Sequence, residues 1–264
     1  MLYENPRGYD HIHDSFAEDI PFWIEVSRRA IADVPGGTVW ELGCGSGRVT
    51  VPVALAGIPV VGVDAQPEMI DAAGKRAAAA GLDVGNPCFH VGSMEALPEV
   101  ATQRQTPEGT PVAAAIIPLH SLSHLLEPAA VGACLQGIFR LLAPGGVLAL
   151  AVHLPDLETL QRDPAALFPL DLGPGILAHE QSRYDAVTQI LHCRWWWEVD
   201  GEPEEGGPHL HQFDLRMFFP RELETLLTCA GFVVEERWGW YDRTPLTSAR
   251  GTQIVVARRP LGRP

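Results

Sequence analysis

Thr38-Val39-Trp40-Glu41-Leu42-Gly43-Cys44-Gly45-Ser46-Gly47-Arg48 is the stretch on which the reading of this chain turns. Thr38 to Leu42 is a short apolar run rich in β-formers and reads as a buried strand. Gly43, Gly45 and Gly47 follow at alternate positions. A helix begins after them, with Pro52 in its first turns, where a missing N–H costs little. Strand, glycine turn and helix make half of a nucleotide-binding βαβ unit. Glycine lets the backbone bend tightly and a ligand lie against it. The N–H groups at the helix start then face that ligand. The spacing departs from the dinucleotide fingerprint G-x-G-x-x-G, because Arg48 stands where its third glycine belongs. Glu41, ahead of the loop, would repel a pyrophosphate but suits a cationic amino group. Together these features point away from NAD and toward a ligand with a positive end.

Other segments fall into place around that loop. Ile58-Pro-Val-Val-Gly-Val-Asp64 reads as the second strand. Asp64 follows the first glycine by about twenty residues, where a carboxylate accepts both hydroxyls of a ribose. The alternative is a helix N-cap for the segment after it. Residues 86–91 read as a third strand and 111–118 as a fourth, central one, with a polar surface loop over 98–111. The fourth strand runs into Leu119-His-Ser-Leu-Ser-His124. In open α/β sheets the carboxyl ends of strands face the ligand, so His120 and His124 fall where a reacting partner should sit. Helices are expected from Asp19, as N-cap, to about Asp33, then up to Gly81, over 128–142 and over 219–231. Ala143-Pro-Gly-Gly146 reads as a turn. Strands follow over 147–153, 232–238 and 252–257.

Glu41-Leu-Gly-Cys-Gly-Ser-Gly-Arg48 resembles the first motif of the class I S-adenosylmethionine-dependent methyltransferases. The resemblance continues through the helix, Pro-Gly-Gly and strand of 128–153, and through the closing helix and strands of 220–258. It implies a Rossmann-like α/β fold: a seven-stranded sheet in the order 3-2-1-4-5-7-6 with strand seven antiparallel. It implies S-adenosyl-L-methionine as cofactor. The implied cofactor set is Glu41, Gly43, Cys44, Gly45, Gly47, Asp64, Ala65, Ser93, Met94, Pro118 and Leu119. In the family the acidic residue and glycine loop hold the methionine part. Ser93 stands where the family usually has an Asp for the adenine amino group, and Met94 matches its apolar residue against the adenine face. Ile117-Pro-Leu-His-Ser-Leu-Ser-His-Leu125 resembles a segment of methyltransferases acting on amino groups of sugars and small amines. His124 matches their common histidine, and His120 stands where they often have Asn. Either may be read as orienting or deprotonating the acceptor, or as a structural hydrogen bond. Tyr9 lies in an N-terminal segment that in such relatives folds over the cofactor, and is expected near the sulfonium.

Composition narrows the partners. The chain has 264 residues, 46% hydrophobic, enough for one sizeable core with an insertion. A formal net charge of −14 and the lack of a Lys/Arg run argue against a broad nucleic-acid surface. Five scattered cysteines without C-x-x-C read as reduced, mostly buried thiols. His11 with His13, and His209 with His211, lack the partners a metal site needs. No apolar signal core or membrane-length run is evident, so a cytoplasmic protein with a small-molecule partner is expected.

The chain divides, on this reading, into a methyltransferase domain formed by 1–153 and 220–264 and an inserted antiparallel β subdomain over 154–219. Strand-like stretches run over 176–186, 187–199 and 210–219, with turn signals at Asp200-Gly201 and 204–208. In the resembling enzymes such an insertion roofs the substrate pocket or builds a homodimer. Trp195-Trp-Trp197 places aromatics on both faces of one strand, for a pocket or for the core. Arg216 aligns with an arginine often seen in those relatives. Methyl transfer to a small molecule, most simply an amine nitrogen, is the expected function; the alternatives are a non-catalytic binder of the same cofactor and an NAD-dependent oxidoreductase.

Overall fold

In the computed structural model, residues 5–82, 85–97, 109–170, 176–199, 209–248 and 251–262 are described. Strand β1 (Thr38–Leu42) is buried along its whole length, as a strand covered on both faces must be. It pairs in parallel with β2 (Val60–Asp64) and β4 (Val112–Ile117). Beyond β2, and reached through helix α4 (Pro67–Ala79), lies β3 (Cys88–Val91), and beyond β4 lies β5 (Leu142–His153). β11 (Thr252–Arg258) runs antiparallel to β5, and β10 (Val233–Trp238) closes the edge antiparallel to β11. The order β3-β2-β1-β4-β5-β11-β10 is the expected one, with the last core strand reversed.

Alternate residues of the central strands feed two cores. Trp40, Leu42, Ala115, Ile117, Leu148 and Leu150 pack on one face, under helices α5 (Pro128–Leu141) and α7 (Pro220–Cys229). Val39, Ala114, Ile116 and Ala149 pack on the other, under α2 (Ile20–Asp33) and α3 (Thr50–Leu55). The two apolar layers hold every carboxyl end of the parallel strands on one rim, and the site lies there.

A second, four-stranded antiparallel sheet follows β5. Its order is β6 (Phe168–Leu170), β7 (Ile176–Asp185), β8 (Ile190–Val199) and β9 (His209–Arg216). Arg216 is buried and joins this sheet to the first. Its guanidinium donates to Glu222 at 2.8 Å and to the Leu126 carbonyl at 3.2 Å.

Several expectations need correction. Residues Pro6–His13 form a helix, α1, which the polar composition hid. Asn5 caps it, its side chain accepting from the Gly8 amide at 3.2 Å. Asp19 makes no side-chain cap. Its fully buried carboxylate instead takes both Arg48 Nη atoms, at 2.7 and 2.6 Å, and the Trp23 indole N–H at 2.9 Å. A charge-assisted bidentate pair outweighs a cap. β5 begins at Leu142, before the Pro-Gly-Gly turn. The turn is an outward loop within the strand: Val112 faces Leu142 and Ala114 already faces Val147, while Gly145 takes φ 84°. The insertion also holds a short helix, α6 (Leu157–Leu160), and β6, neither evident from periodicity. The expected loop over 98–108, the turns at 200–201 and 204–208, and the side chains of Trp197 and His209 lie outside the described residues.

Candidate cofactor and acceptor site

A cavity of about 480 Å³ opens at the carboxyl rim of β1, β2, β4 and β5, a volume typical of small-ligand sites. One end is walled by Tyr9, Gly43, Gly45, Asp64, Ala65, Gln66, Ser93 and Met94. The glycine loop makes this end possible. Gly43 sits at φ 70°, and a Cβ there would meet the Ser121 side chain at 2.7 Å. Its amide and that of Cys44 both donate to the Val63 carbonyl, at 2.8 and 3.0 Å. That double bond folds the loop back over the end of β2.

Asp64 ends β2 with one carboxylate oxygen on the Gly45 amide at 2.8 Å and the other on the Gln66 amide at 2.9 Å. These bonds fix the carboxylate and leave lone pairs for a ligand's hydroxyls. Burial raises its pKa, and the backbone amides oppose that. The α1 helix covers the loop. Tyr9 lies 3.3 Å from where a Gly45 Cβ would be. Asp10 accepts a short hydrogen bond from Ser46 Oγ, and Arg76 pairs with Asp10 and Asp14, each at 2.9 Å. Burial pushes the Tyr9 phenol well up, so it stays protonated.

Four of the named cofactor residues stand behind the cavity wall: Glu41, Cys44, Gly47 and Pro118 are absent from its lining. Glu41 is buried under the loop and accepts from Thr50 Oγ1 at 2.5 Å. Cys44 is buried beside Gly62, and the Gly47 position packs on Ala73 and Val51. Pro118 is buried, and its carbonyl takes the Ser121 amide and hydroxyl at 3.2 and 3.0 Å. These residues shape the loop from below.

Leu119 and His120 are consecutive non-glycine residues in the left-handed region, with φ 48° and 64°. Such strain collects at functional sites. Here it swings His120 onto His153, with ring centroids 3.6 Å apart and 23° from parallel. His13, His120, His124 and His153 all line the cavity, together with Leu125, Trp195, Phe213 and Leu215. Both candidate histidines thus reach the cavity, as does Tyr9. His13 and His153 were missed. The rule that selected His120 applies equally to His153, which ends the neighbouring strand. His13 lies beside Tyr9, ring centroids 4.4 Å apart and the planes tilted by 51°, on a helix the composition hid. Trp195 is anchored by Glu180, which accepts from its indole N–H at 2.7 Å and from Arg162 at 2.7 Å. No cluster suited to a metal ion occurs among the described residues.

Burial sets the protonation of the site. It lowers His13 and His153 to about 4, with Arg48 adding to the effect on His13 and His124 to that on His153. It lowers His120 well below the usual value and His124 to a lesser extent. It raises Glu41 to about 8, with Thr50 and Arg48 only partly opposing. The signs predict a pH profile. Below 6.5 the unfolded chain binds protons that the folded imidazoles refuse, so stability rises with pH toward that value. Between 4.5 and 8 the folded Glu41 keeps a proton that the unfolded chain has lost, so its contribution falls with pH. At 6.5 the unfolded imidazoles are still half protonated, so together they outweigh one carboxyl until about half a unit higher, and above that the carboxyl dominates. Melting temperature is therefore expected to peak at about pH 7 and to decline toward 8. Glu41→Gln should remove the decline; an unchanged slope in thermal scans of that variant would contradict the assignment.

Comparison with known proteins agrees with this geometry. Residues 39–146 match a family model described as a methyltransferase domain. A ubiquinone biosynthesis O-methyltransferase from Caulobacter vibrioides is 30% identical over 131 residues, 50% of this chain and 46% of that protein. An uncharacterized methyltransferase from Synechocystis is 32% identical over 139 residues, 52% and 57% of the two chains. The matched segment spans about half the length of these relatives. Among solved structures, the CcbJ methyltransferase from Streptomyces caelestis superposes with TM-score 0.73 at 22% identity, covering 91% of this chain and 90% of that one. An amino pentose methyltransferase from Micromonospora echinaspora gives 0.62 at 20% identity, covering 98% and 97%. Residues 39–146 thus match a methyltransferase domain, and the fold is the one seen in the class I methyltransferase structures. No helix among the described residues is long and apolar enough to cross a membrane.

Proposed function

We propose that the protein transfers a methyl group from S-adenosylmethionine to a nitrogen of a small-molecule amine. One observation carries this reading: the end walled by Gly43, Gly45, Asp64 and Met94 opens, within a single cavity, onto His120 and His124. The cofactor fits the residues present. A side chain at Gly43 would fill the cradle, the fixed Asp64 carboxylate suits ribose hydroxyls, and Met94 offers an apolar face to a base. Ser93 replaces a carboxylate with a hydroxyl, so the adenine contact is uncharged.

When bound, the cofactor supplies an already activated methyl group. The chain's own residues then have to position the acceptor, exclude water and take up a proton. Tyr9 and α1 cover the loop, the apolar wall excludes water, and His120 or His124 stands ready for the proton. The nitrogen assignment draws on structural neighbours described as an amino pentose methyltransferase and a sugar N-methyltransferase. Calorimetric titration with S-adenosylhomocysteine, then mass spectrometry of amine and phenol panels with the methyl donor, tests both levels. Absence of nucleoside binding removes the cofactor reading; methylation of oxygen alone removes the nitrogen.

A further inference from the structure

The acceptor end of the cavity has a definite chemical character. Its wall is Leu125, Trp195, Phe213, Leu215 and the flat slab made by the His120 and His153 rings. Backbone hydrogen bonds at Gly251 and Asp214 oppose the effect of burial on His153 and His124.

Among the described residues, the carboxylates near this end already have partners. Glu180 holds Arg162 and the Trp195 indole. Asp156 accepts from the Thr159 amide at 2.8 Å. Glu222 pairs with Arg216 at 2.8 Å. Asp214 turns its side chain to His192 at 2.8 Å. Asp64, the single acid among the described lining residues, belongs to the nucleoside end.

We propose that the acceptor is a flat, uncharged arylamine whose ring lies against the His120–His153 slab and Trp195, and that protonated aliphatic amines are excluded. The inference rests on the methyl-transfer reading above. An alkylammonium would enter an apolar wall in which the described lining residues include no carboxylate besides Asp64, beside a cofactor that is itself cationic, and it has no lone pair with which to attack. An arylamine enters neutral. Its nitrogen lone pair forms the new C–N bond as the C–S bond breaks, with that electron pair left on sulfur. The nitrogen, now cationic, releases its N–H proton to an imidazole. An arylammonium is acidic enough to protonate the weakly basic histidines of this site, whereas an alkylammonium holds its proton too firmly.

The test is a matched pair, 5-aminoindane and 2-aminoindane. They share one ring system and formula, and differ in whether the nitrogen sits on the aromatic or the saturated ring. Each is titrated by calorimetry into the intact protein at about pH 7 and about pH 10, where the alkylamine becomes largely neutral. Titrations run with and without S-adenosylhomocysteine. Nucleoside that fails to bind overturns the cofactor reading, and the amine comparison is still made on the protein alone. The expected result is binding of 5-aminoindane at both pH values, with 2-aminoindane weaker by about tenfold or more at the lower pH. That gap should shrink at the higher pH. Equal or tighter binding of 2-aminoindane at neutral pH, or binding of neither amine, overturns the proposal.

Discussion

Asp64→Ala is expected to weaken S-adenosylhomocysteine binding by about a hundredfold or more, the largest loss foreseen at any single position of the nucleoside end. Both carboxylate oxygens are held in place before any ligand arrives, by the Gly45 and Gln66 amides at 2.8 and 2.9 Å. A ligand diol would meet an acceptor that needs no rearrangement, and hydrogen bonds to a charged group are worth roughly 1.5–3 kcal/mol each. Two such bonds give an order of 3 kcal/mol or more, which is the hundredfold. The substitution also frees the Gly45 amide and loosens the loop. Asp64→Asn separates the effects, because it keeps a side-chain oxygen in place without the charge. Calorimetry on both variants checks this. An affinity for Asp64→Ala within about threefold of the parent would sink the ribose assignment, since even one lost charged hydrogen bond costs more.

Arg48→Ala is expected to cause the largest loss of stability. The Arg48–Asp19 pair is almost wholly buried, with side chains 8% and 0% exposed. Removing one member leaves Asp19 as a buried charge with only the Trp23 indole N–H for company. Such truncations cost roughly 3–5 kcal/mol. For a chain of this size each kcal/mol lowers the melting temperature by about 2–4 °C, so a fall on the order of 10 °C is foreseen. Arg48 also donates to the Phe16 carbonyl at 2.6 Å, which ties the segment after α1 to the glycine loop. The double variant Asp19→Asn, Arg48→Gln removes the stranded charge and should recover part of the loss. Thermal unfolding that leaves the double variant as unstable as Arg48→Ala would show that the stranded charge is not the cause.

How much of this was legible from residue order alone depends on what kind of constraint each residue obeys. Gly43, Gly45 and Asp64 answer to backbone geometry, and backbone geometry writes itself into spacing. The sheet order followed because its strands are buried runs separated by helix signals. Trp195, Phe213 and Leu215 reach the cavity only because β8 and β9 pair in one register and the second sheet leans over the rim. No local pattern encodes that. Glu41 shows how far order alone reaches. Its place ahead of the loop suits a ligand's amino group, held directly or through water, and only the fold shows its carboxylate taking the Thr50 hydroxyl beneath the turn. The α1 helix carried a readable mark in Asn5-Pro6, a cap followed by a first-turn proline, but its polar composition lacked the apolar stripe that periodicity needs.

The seam between the two sheets has a practical meaning. On the proposed function, turns after β1, β2 and β3 would hold the nucleoside, whereas β8 and β9 supply the wall facing the acceptor. Arg216, with its hold on Glu222 and the Leu126 carbonyl, is the rivet between them. A chimera that imports the strands of a homologue while preserving this rivet would keep its grip on the methyl donor and change what gets methylated. Retargeting such a catalyst then becomes a matter of exchanging one cassette.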